Sequence, residues 1–527
     1  MRDGTKGKAF VLSKQPKRGG KNSDWLNVHV DGMEKPSSLN WKHVAEWKML
    51  PAPEKVVLLS ASEELSQEVL DAKAKELKNL VDHDVFEAVP DVGQCRVSTK
   101  WVITEKIKDD KRIVKGRLVA RGFEEKLQNT RTDSPTCSKL ALRLCFLTAA
   151  TMGWELHSLD VTAAFLQGNI IEREVHVQPP VEWDGHPLIW KLKRCLYGLN
   201  DAPRSWYERV EQELRNSEGK TSVYDEAMFM WHNENSLVGL INSHVDDFVY
   251  CGTPAWHKKV IASLYQTFNI KESYCGSFKY IGLNVVQTAS AVMIDQHLYV
   301  EKLELIPVSA ERAKQRDKPL NNEEKEKLRS LSGQLLWATT QTRIDSAFNA
   351  CMISNYGKNP TVNTLLMANK AVKKLKSEKV KLTFPNLGDV DKLEIVTYAD
   401  ASHANLPSGA SQGGLIVFLA GNGRLAPITW QSKKLNRVAK SPFAAETMVQ
   451  AEVADIGILV GKMVEELYKI RLRVDIARLR EMVKCGEIDV QWVPTHRQLA
   501  DSLTKAGASP KVLLDVLQTG YIRRHTP

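Results

Sequence analysis

A chain of 527 residues predicts about three or four folded units at roughly 150 residues each, which excludes a small stapled module. Hydrophobic residues at 43% and charged residues at 26% match globular averages, so a sizeable core is expected and wholesale disorder is excluded. The 73 Lys and Arg against 63 Asp and Glu leave a formal charge of +10, a balance that favours polyanionic partners.

Residues 1 to about 40 are rich in Lys, Gly and Ser with little periodicity, and residues 1–60 are read as a flexible basic arm. A helical pattern follows over 61–81, ASEELSQEVLDAKAKELKNLV. Two strand-like runs, RVSTKWVITEKI and RIVKGRLVARGF, then flank the charged turn KDDK as a β-hairpin. Residues 140–153 are apolar and Ala-rich and suit a buried helix. They lead into the alternating strand WELHSLD, which ends on Asp160, and TAAFLQG reads as helix-forming. Residues 237–251, LVGLINSHVDDFVYC, show two apolar runs interrupted by His244, Asp246 and Asp247, a hairpin with carboxylates at its bend. Residues 310–385 read as mainly helical and close on a basic helix with Lys370, Lys373, Lys374, Lys376 and Lys379. Strand-like LEIVTYAD, GGLIVFLA and APITWQS precede a long amphipathic segment from Pro442, so a second α/β domain is expected from about residue 390.

The eight cysteines are scattered with no CxxC pair, so the spacing suggests neither a zinc cluster nor a disulfide framework, and a reducing compartment is expected. No window approaches roughly 18 consecutive apolar residues and the amino terminus lacks a secretory pattern, so the expectation is a soluble intracellular protein without membrane contact.

Asp160 ends one strand and Asp246 with Asp247 sits at the bend of a later hairpin, so folding can bring three carboxylates together. Such a cluster needs a cation, and hard oxygen ligands favour Mg²⁺. Two divalent ions held by shared aspartates can activate a 3′-hydroxyl and stabilise the leaving oxygen of a triphosphate in an in-line displacement. An Asp pair at a turn is also ordinary turn chemistry.

LDVTAAFLQG (159–168), LKRCLYGLNDAPRSWY (192–207) and HVDD (244–247) occur in that order. WVITEKIKDDKRIVKGRLVARGF precedes them, and FKYIGLNV and LRSLSGQLLWATTQTRIDSAF follow. Together these words resemble the reverse transcriptase of copia-type retrotransposons, over roughly residues 75–520. The resemblance implies an α+β chain: a right-hand polymerase with fingers, palm and thumb, then a helical connection and an RNase H-like α/β domain. The segments are 61–310 for fingers and palm, 311–390 for thumb and connection, and 391–527 for the RNase H-like domain. It implies Asp160 and Asp246 as principal metal ligands with Asp247 beside them, and Lys115, Arg117 and Arg121 as cations for the incoming triphosphate. Any one of these cations reads equally as part of a solvated basic strand. Gly198 and Pro203 would shape a loop against template and nucleotide. Phe165 falls where such enzymes keep a ring that excludes a 2′-hydroxyl, and its plainer reading is a core Phe. Many relatives carry Tyr where this chain has His244, a departure expected to tune activity rather than abolish it.

The segment from about 390 resembles the RNase H domain that follows this polymerase in the same elements. Asp400 in TYADASHANL, Glu446 in FAAETMVQ and Asp501 in THRQLADSLTK match three of its acids, and His496 a His that assists turnover. The remaining acid, at the end of a strand between the Glu-bearing helix and VDIARLRE, has no counterpart, because ELYKI runs straight into RLRVDIARLREM. Two readings account for this. In one, favoured by the likeness of VDIARLRE to the family's later helix, a strand near 470 is deleted and 462–485 are helical throughout. In the other, Ile470, Leu472, Val474 and Ile476 form a replacement strand with Asp475 as the substitute acid. Asp455 lies about two and a half helical turns beyond Glu446, on the opposite face.

The resemblance implies an RNA-directed and DNA-directed DNA polymerase, with a nuclease expected to be impaired. Its partners are expected to be an RNA or DNA primer-template and deoxynucleoside triphosphates, in cytoplasmic particles or the nucleus. The alternatives are a catalytically silent nucleic-acid-binding relic and a host-adopted structural protein. With neither a protease signature nor an integrase zinc cluster, the chain reads as a fragment or a truncated element.

Overall fold

The computed structural model describes residues 9–16, 22–30, 37–40 and 66–521, apart from 109–110, 126–129, 407, 471–490, 492, 495–496 and 506. By contacts the chain forms two units, 1–135 with 161–216 and 136–160 with 217–527. The division does not follow the successive segments read from the sequence. The architecture is mixed α+β, as expected. Among the described residues no helix is long and apolar enough to cross a membrane.

In the first unit, Ala9–Pro16, Asn22–Val30 and Ser37–Asn40 form a three-stranded antiparallel sheet, where the sequence is read as an arm. The helix Gln67–Asp82 turns Val69, Ala72, Glu76 and Leu80 inward. It packs on the expected hairpin, Thr99–Lys108 with Lys111–Ala120, at Gly116, where a Cβ would come within 3.2 Å of the Ala72 carbonyl oxygen. Phe86–Val89, Ile189–Leu192, His176–Val177 and Arg96–Val97 make a four-stranded sheet around the buried Trp190, on which Phe86 stacks at 4.0 Å. The TAAFLQG segment forms only a 3₁₀ turn, Ala164–Gln167, entered through Ala163 at φ 51°.

The second unit is organised around the helix Lys139–Met152. Ser138 caps its start by accepting from the Ala141 N–H, and Gly153 ends it at φ 66°. Every residue from Ala141 to Ala150 is buried, so the helix must be covered on all sides. A six-stranded sheet lies in the order Lys220–Thr221, Met228–Asn233, Ser236–His244, Asp247–Gly252, Leu156–Val161 and Ile270–Cys275. Ser277–Tyr280, Leu283–Gln287, Ala291–Asp295 and Lys381–Pro385 make a second sheet, so the expected helical run of 310–385 closes on a strand. In the sequence between Ala291–Asp295 and Lys381–Pro385 come the helices Asn322–Gln341, Ala347–Asn355 and Val362–Ser377. The last is less basic in effect than its sequence: Lys374 donates to the Asp345 carbonyl and Lys376 to that of Glu301, leaving Lys370 and Lys373 exposed on its face.

Glu394–Ser402, Gln412–Gly421 and Arg424–Lys434 form a three-stranded antiparallel sheet backed by the helix Pro442–Tyr468, which Ser441 caps. This module shares one apolar cluster with Lys139–Met152 and the two preceding sheets. The tie is Arg143, buried and stacked 3.7 Å from the Trp430 ring centroid. It donates to the carbonyls of Ile428 at 2.9 Å and Thr340 at 2.8 Å, and burial pulls its pKa down to about 9. Truncation would leave those carbonyls unpaired beside a cavity. We expect Arg143→Ala to cost about 3–5 kcal/mol in urea unfolding, and a loss below about 1 kcal/mol would contradict this role.

Candidate active site

Asp160 lies at the end of Leu156–Val161, directly opposite Asp247 in the neighbouring antiparallel strand. Residues opposed in this way project from the same face, so the pairing register alone puts two carboxylates side by side. His244 pairs with Asp247 to close the bend, leaving Val245 and Asp246 as its two central residues. Val245 has φ 61°, a region that branched side chains avoid at a cost of about 1–3 kcal/mol. The bend is held from outside by the Cys137 N–H on the Ser243 carbonyl at 2.9 Å, and the Tyr280 hydroxyl approaches the Asp247 carbonyl at 3.5 Å.

Asp246 is exposed, whereas Asp160 and Asp247 are half-buried. Burial first, then the charges of Asp246 and Asp160, push the Asp247 carboxyl up to about 7. Three acids with oxygen-only donors, one of them driven towards neutrality by burial and by its neighbours, fit a hard divalent cation. Their oxygens do not all lie within 4.8 Å of one another. Because the folded pKa of Asp247 exceeds the unfolded value near 4, its stabilising contribution is full below about pH 4 and is lost as pH rises through about 7. In the presence of a chelator, urea stability should therefore fall over this interval. Asp247→Asn should flatten the fall, by up to a few kcal/mol. An unchanged slope in the variant would refute the assignment.

The first unit gathers the other expected residues. Lys115 and Arg117 alternate on one face of their strand and both are exposed, while Arg121 follows its end, 4.0 Å from Glu124. Gly198 has φ 90°, and a Cβ there would meet the Ala120 carbonyl oxygen at 2.2 Å. Its loop therefore docks on the basic strand, through the Ala120 N–H on the Tyr197 carbonyl at 2.7 Å and the Asn200 amide on Gly122 at 2.9 Å. Pro203 stands in the first turn of the helix Ala202–Asn216, where its missing N–H costs nothing. Phe165 is half-buried, its ring 5.6 Å from that of Tyr197, over which the Arg117 guanidinium sits at 5.8 Å. Tyr197 thus joins two expected residues. The sequence reading passed over it inside YGLN, though an aromatic beside a glycine turn was a visible signal.

In the second unit Asp400 is 8% exposed at the end of Glu394–Ser402. The Thr504 hydroxyl donates to it, and the Lys505 ammonium pairs with Asp501 while standing 3.5 Å from Asp400. Burial raises the Asp400 pKa, opposed by Thr504 and Lys505 and aided by Asp501. Glu446, in the first turns of Pro442–Tyr468, is raised by lost hydration and by Asp400. The three acids therefore converge electrostatically. Thr504 and Lys505, present in ADSLTK, were missed as their partners. Asp455 is exposed farther along the same helix. The expectation of a helix unbroken through 462–485 is corrected: the helix stops at Tyr468 and Lys469 turns left-handed at φ 56°. Asp475 and His496 lie outside the described residues, as does the remainder of the proposed deletion or replacement strand.

Residues 84–307 match the reverse transcriptase (RNA-dependent DNA polymerase) family. The chain is 26% identical to the retrovirus-related Pol polyprotein from transposon RE1 of Arabidopsis thaliana, covering 82% of this chain and 32% of that one. It is 25% identical to the Pol polyprotein from transposon TNT 1-94 of Nicotiana tabacum, over 83% of this chain and 36% of that one. A foamy viral protease-reverse transcriptase, solved with double-stranded DNA, is similar at a TM-score of 0.45 and 14% identity, covering 82% of this chain and 66% of that one. The chain spans about a third of the length of the plant polyproteins it matches.

Proposed function

We propose that the chain, whose residues 84–307 match the reverse transcriptase family and which is similar to copia-type retrotransposon Pol polyproteins, is an RNA-directed and DNA-directed DNA polymerase. We retain 61–310, 311–390 and 391–527 as its functional segments. The observation that carries the proposal is the opposition of Asp160 and Asp247 beside Asp246, a concentration of negative charge that demands a cation. Asp160, Asp246 and Asp247 would hold Mg²⁺, which when bound lowers the pKa of a 3′-hydroxyl and offsets charge on the transferring phosphoryl group. The chain's own part is orientation: the strand register fixes two of the carboxylates, and Val245 holds the bend that presents the third. Lys115, Arg117 and Arg121 supply fixed positive charge for a triphosphate. Phe165, braced by Tyr197, supplies a ring against the 2′-position of the sugar.

Purified protein should extend a primer on an RNA template with Mg²⁺. Asp160→Asn or Asp246→Asn should lower the rate by about 10²-fold or more, with unfolding curves little changed. In the same assay Phe165→Val should admit ribonucleotides while deoxynucleotide incorporation survives. Equally fast extension in both Asp variants would defeat the assignment of these acids, and no extension by the unmodified chain would leave a nucleic-acid-binding relic as the better reading.

For 391–527 we propose an impaired nuclease. What supports this is the Lys505 ammonium between Asp400 and Asp501, where a competing cation is already built in, together with the missing sequence counterpart of one acid. The chain should copy RNA yet fail to degrade the RNA of an RNA–DNA hybrid. Robust hybrid cleavage, abolished by Asp475→Asn, would overturn this and make Asp475 the replacement ligand.

A further inference from the structure

The strand that carries Asp160 begins beside a second set of donors unlike the first. Glu155 immediately precedes the strand, His157 is its second residue, and Cys275 ends the neighbouring edge strand Ile270–Cys275. The two strands are held together there by the Gly276 N–H on the Leu156 carbonyl at 2.9 Å. His157 Nε2 lies 3.7 Å from a Glu155 carboxylate oxygen and 4.0 Å from Cys275 Sγ, and the three donor atoms all fall within 4.8 Å of one another. Among the described residues no other group of three or more His, Cys, Asp or Glu side chains meets that criterion.

We propose that Glu155, His157 and Cys275 form a binding site for a transition-metal dication of the zinc class, separate from the carboxylates of Asp160, Asp246 and Asp247. Ligand softness separates the two sites. A thiolate and an imidazole select zinc-like ions, whereas a set of carboxylates selects magnesium. Bond lengths of about 2.0–2.3 Å place neighbouring ligands of a tetrahedral zinc about 3.3–3.6 Å apart. The two separations from His157 exceed this by a few tenths of an ångström, and Glu155 and Cys275 are exposed enough to close the gap by side-chain rotation.

The surroundings suit the imidazole form required, whereas burial and then Glu155 raise the Cys275 thiol, so the metal itself must displace that proton on binding. Burial, then the nearby His257, lowers the His157 pKa against the pull of Glu155, which keeps the imidazole neutral and able to coordinate. The ring is fixed by stacking on Tyr250 at 5.2 Å and 8°. His257 lies 4.9 Å from His157 between ring centroids, and its Nε2 is buried without a hydrogen-bond partner among the described residues. His257 opens the π-helical turn His257–Ile261, a local irregularity that recurs at functional sites. A metal here would cross-link the sheet's edge strand to the strand that carries Asp160. The cysteine spacing suggested no zinc cluster because these ligands come from distant parts of the sequence.

The test is titration of the reduced, chelator-treated full chain with Co²⁺. One equivalent should produce a near-ultraviolet thiolate-to-cobalt charge-transfer band, displaced by one equivalent of Zn²⁺ and persisting in excess Mg²⁺. Cys275→Ser should abolish the band, His157→Gln should weaken affinity at least tenfold, and Asp160→Asn should leave the band intact. In the unmodified chain, Zn²⁺ should slow alkylation of Cys275, read by peptide mapping, which keeps the test independent of variant folding. A chain that gives no band, a band that survives Cys275→Ser, displacement by Mg²⁺, or alkylation of Cys275 indifferent to Zn²⁺ would each overturn the proposal.

Discussion

The helix Lys139–Met152 sets the constraint on which the second unit depends. A helix apolar on every face cannot leave any of them in water, so each needs a covering layer. The strands Ser236–His244 and Asp247–Gly252 take one part of its surface, Ala291–Asp295 and Lys381–Pro385 another, and Arg424–Lys434 a third. Each fully buried Leu or Phe on it contributes about 1.5–3 kcal/mol, enough to make the layers interdependent. The strand pairing that opposes Asp160 and Asp247 is thus backed by the same core that supports Asp400. Precision at both acid clusters comes from packing beneath them rather than from bonds among the acids.

The two clusters meet the same electrostatic problem with different means. Around Asp247 the dominant influences are burial and two further carboxylates, so charge accumulates until one acid moves towards protonation. Around Asp400 a threonine hydroxyl and a lysine ammonium absorb much of that strain. As proposed, the first cluster takes an external dication, whereas the second carries its own monocation in Lys505. The former gains most from binding a metal, whereas the latter must first displace an ion pair. This contrast in local charge, set by Thr504 and Lys505 within one short motif, underlies the different activities proposed for the two parts of the chain.

Where the sequence pattern had a strong period, it was legible. Two apolar runs broken by HVDD fold as the expected hairpin, and the Ala-rich run of 140–153 is the buried helix it was read to be, because burial dominates both patterns. TAAFLQG satisfied helical propensity but forms a 3₁₀ turn, since Ala163 at φ 51° breaks the register at its start. Contacts between distant side chains had no such pattern. The Lys374 and Lys376 ammonium groups look solvated on a helical wheel, yet they reach backbone carbonyls from Asp345 and Glu301. Arg143 on Trp430 and the placing of Arg117 and Phe165 about Tyr197 likewise depend on tertiary geometry.

The shared core also separates covalent continuity from structural unity. The turn around Asp389, Asp391 and Lys392 is exposed and joins the strand Lys381–Pro385 to the first strand of the three-stranded module. It looks like a hinge between domains, and a protease could reach it. Yet Leu387 and Leu393, on either side, are buried in the cluster that contains Lys139–Met152. A nick there would liberate no domain. Its two pieces would remain a noncovalent pair, because parting them would strip the apolar helix of one of its covering layers.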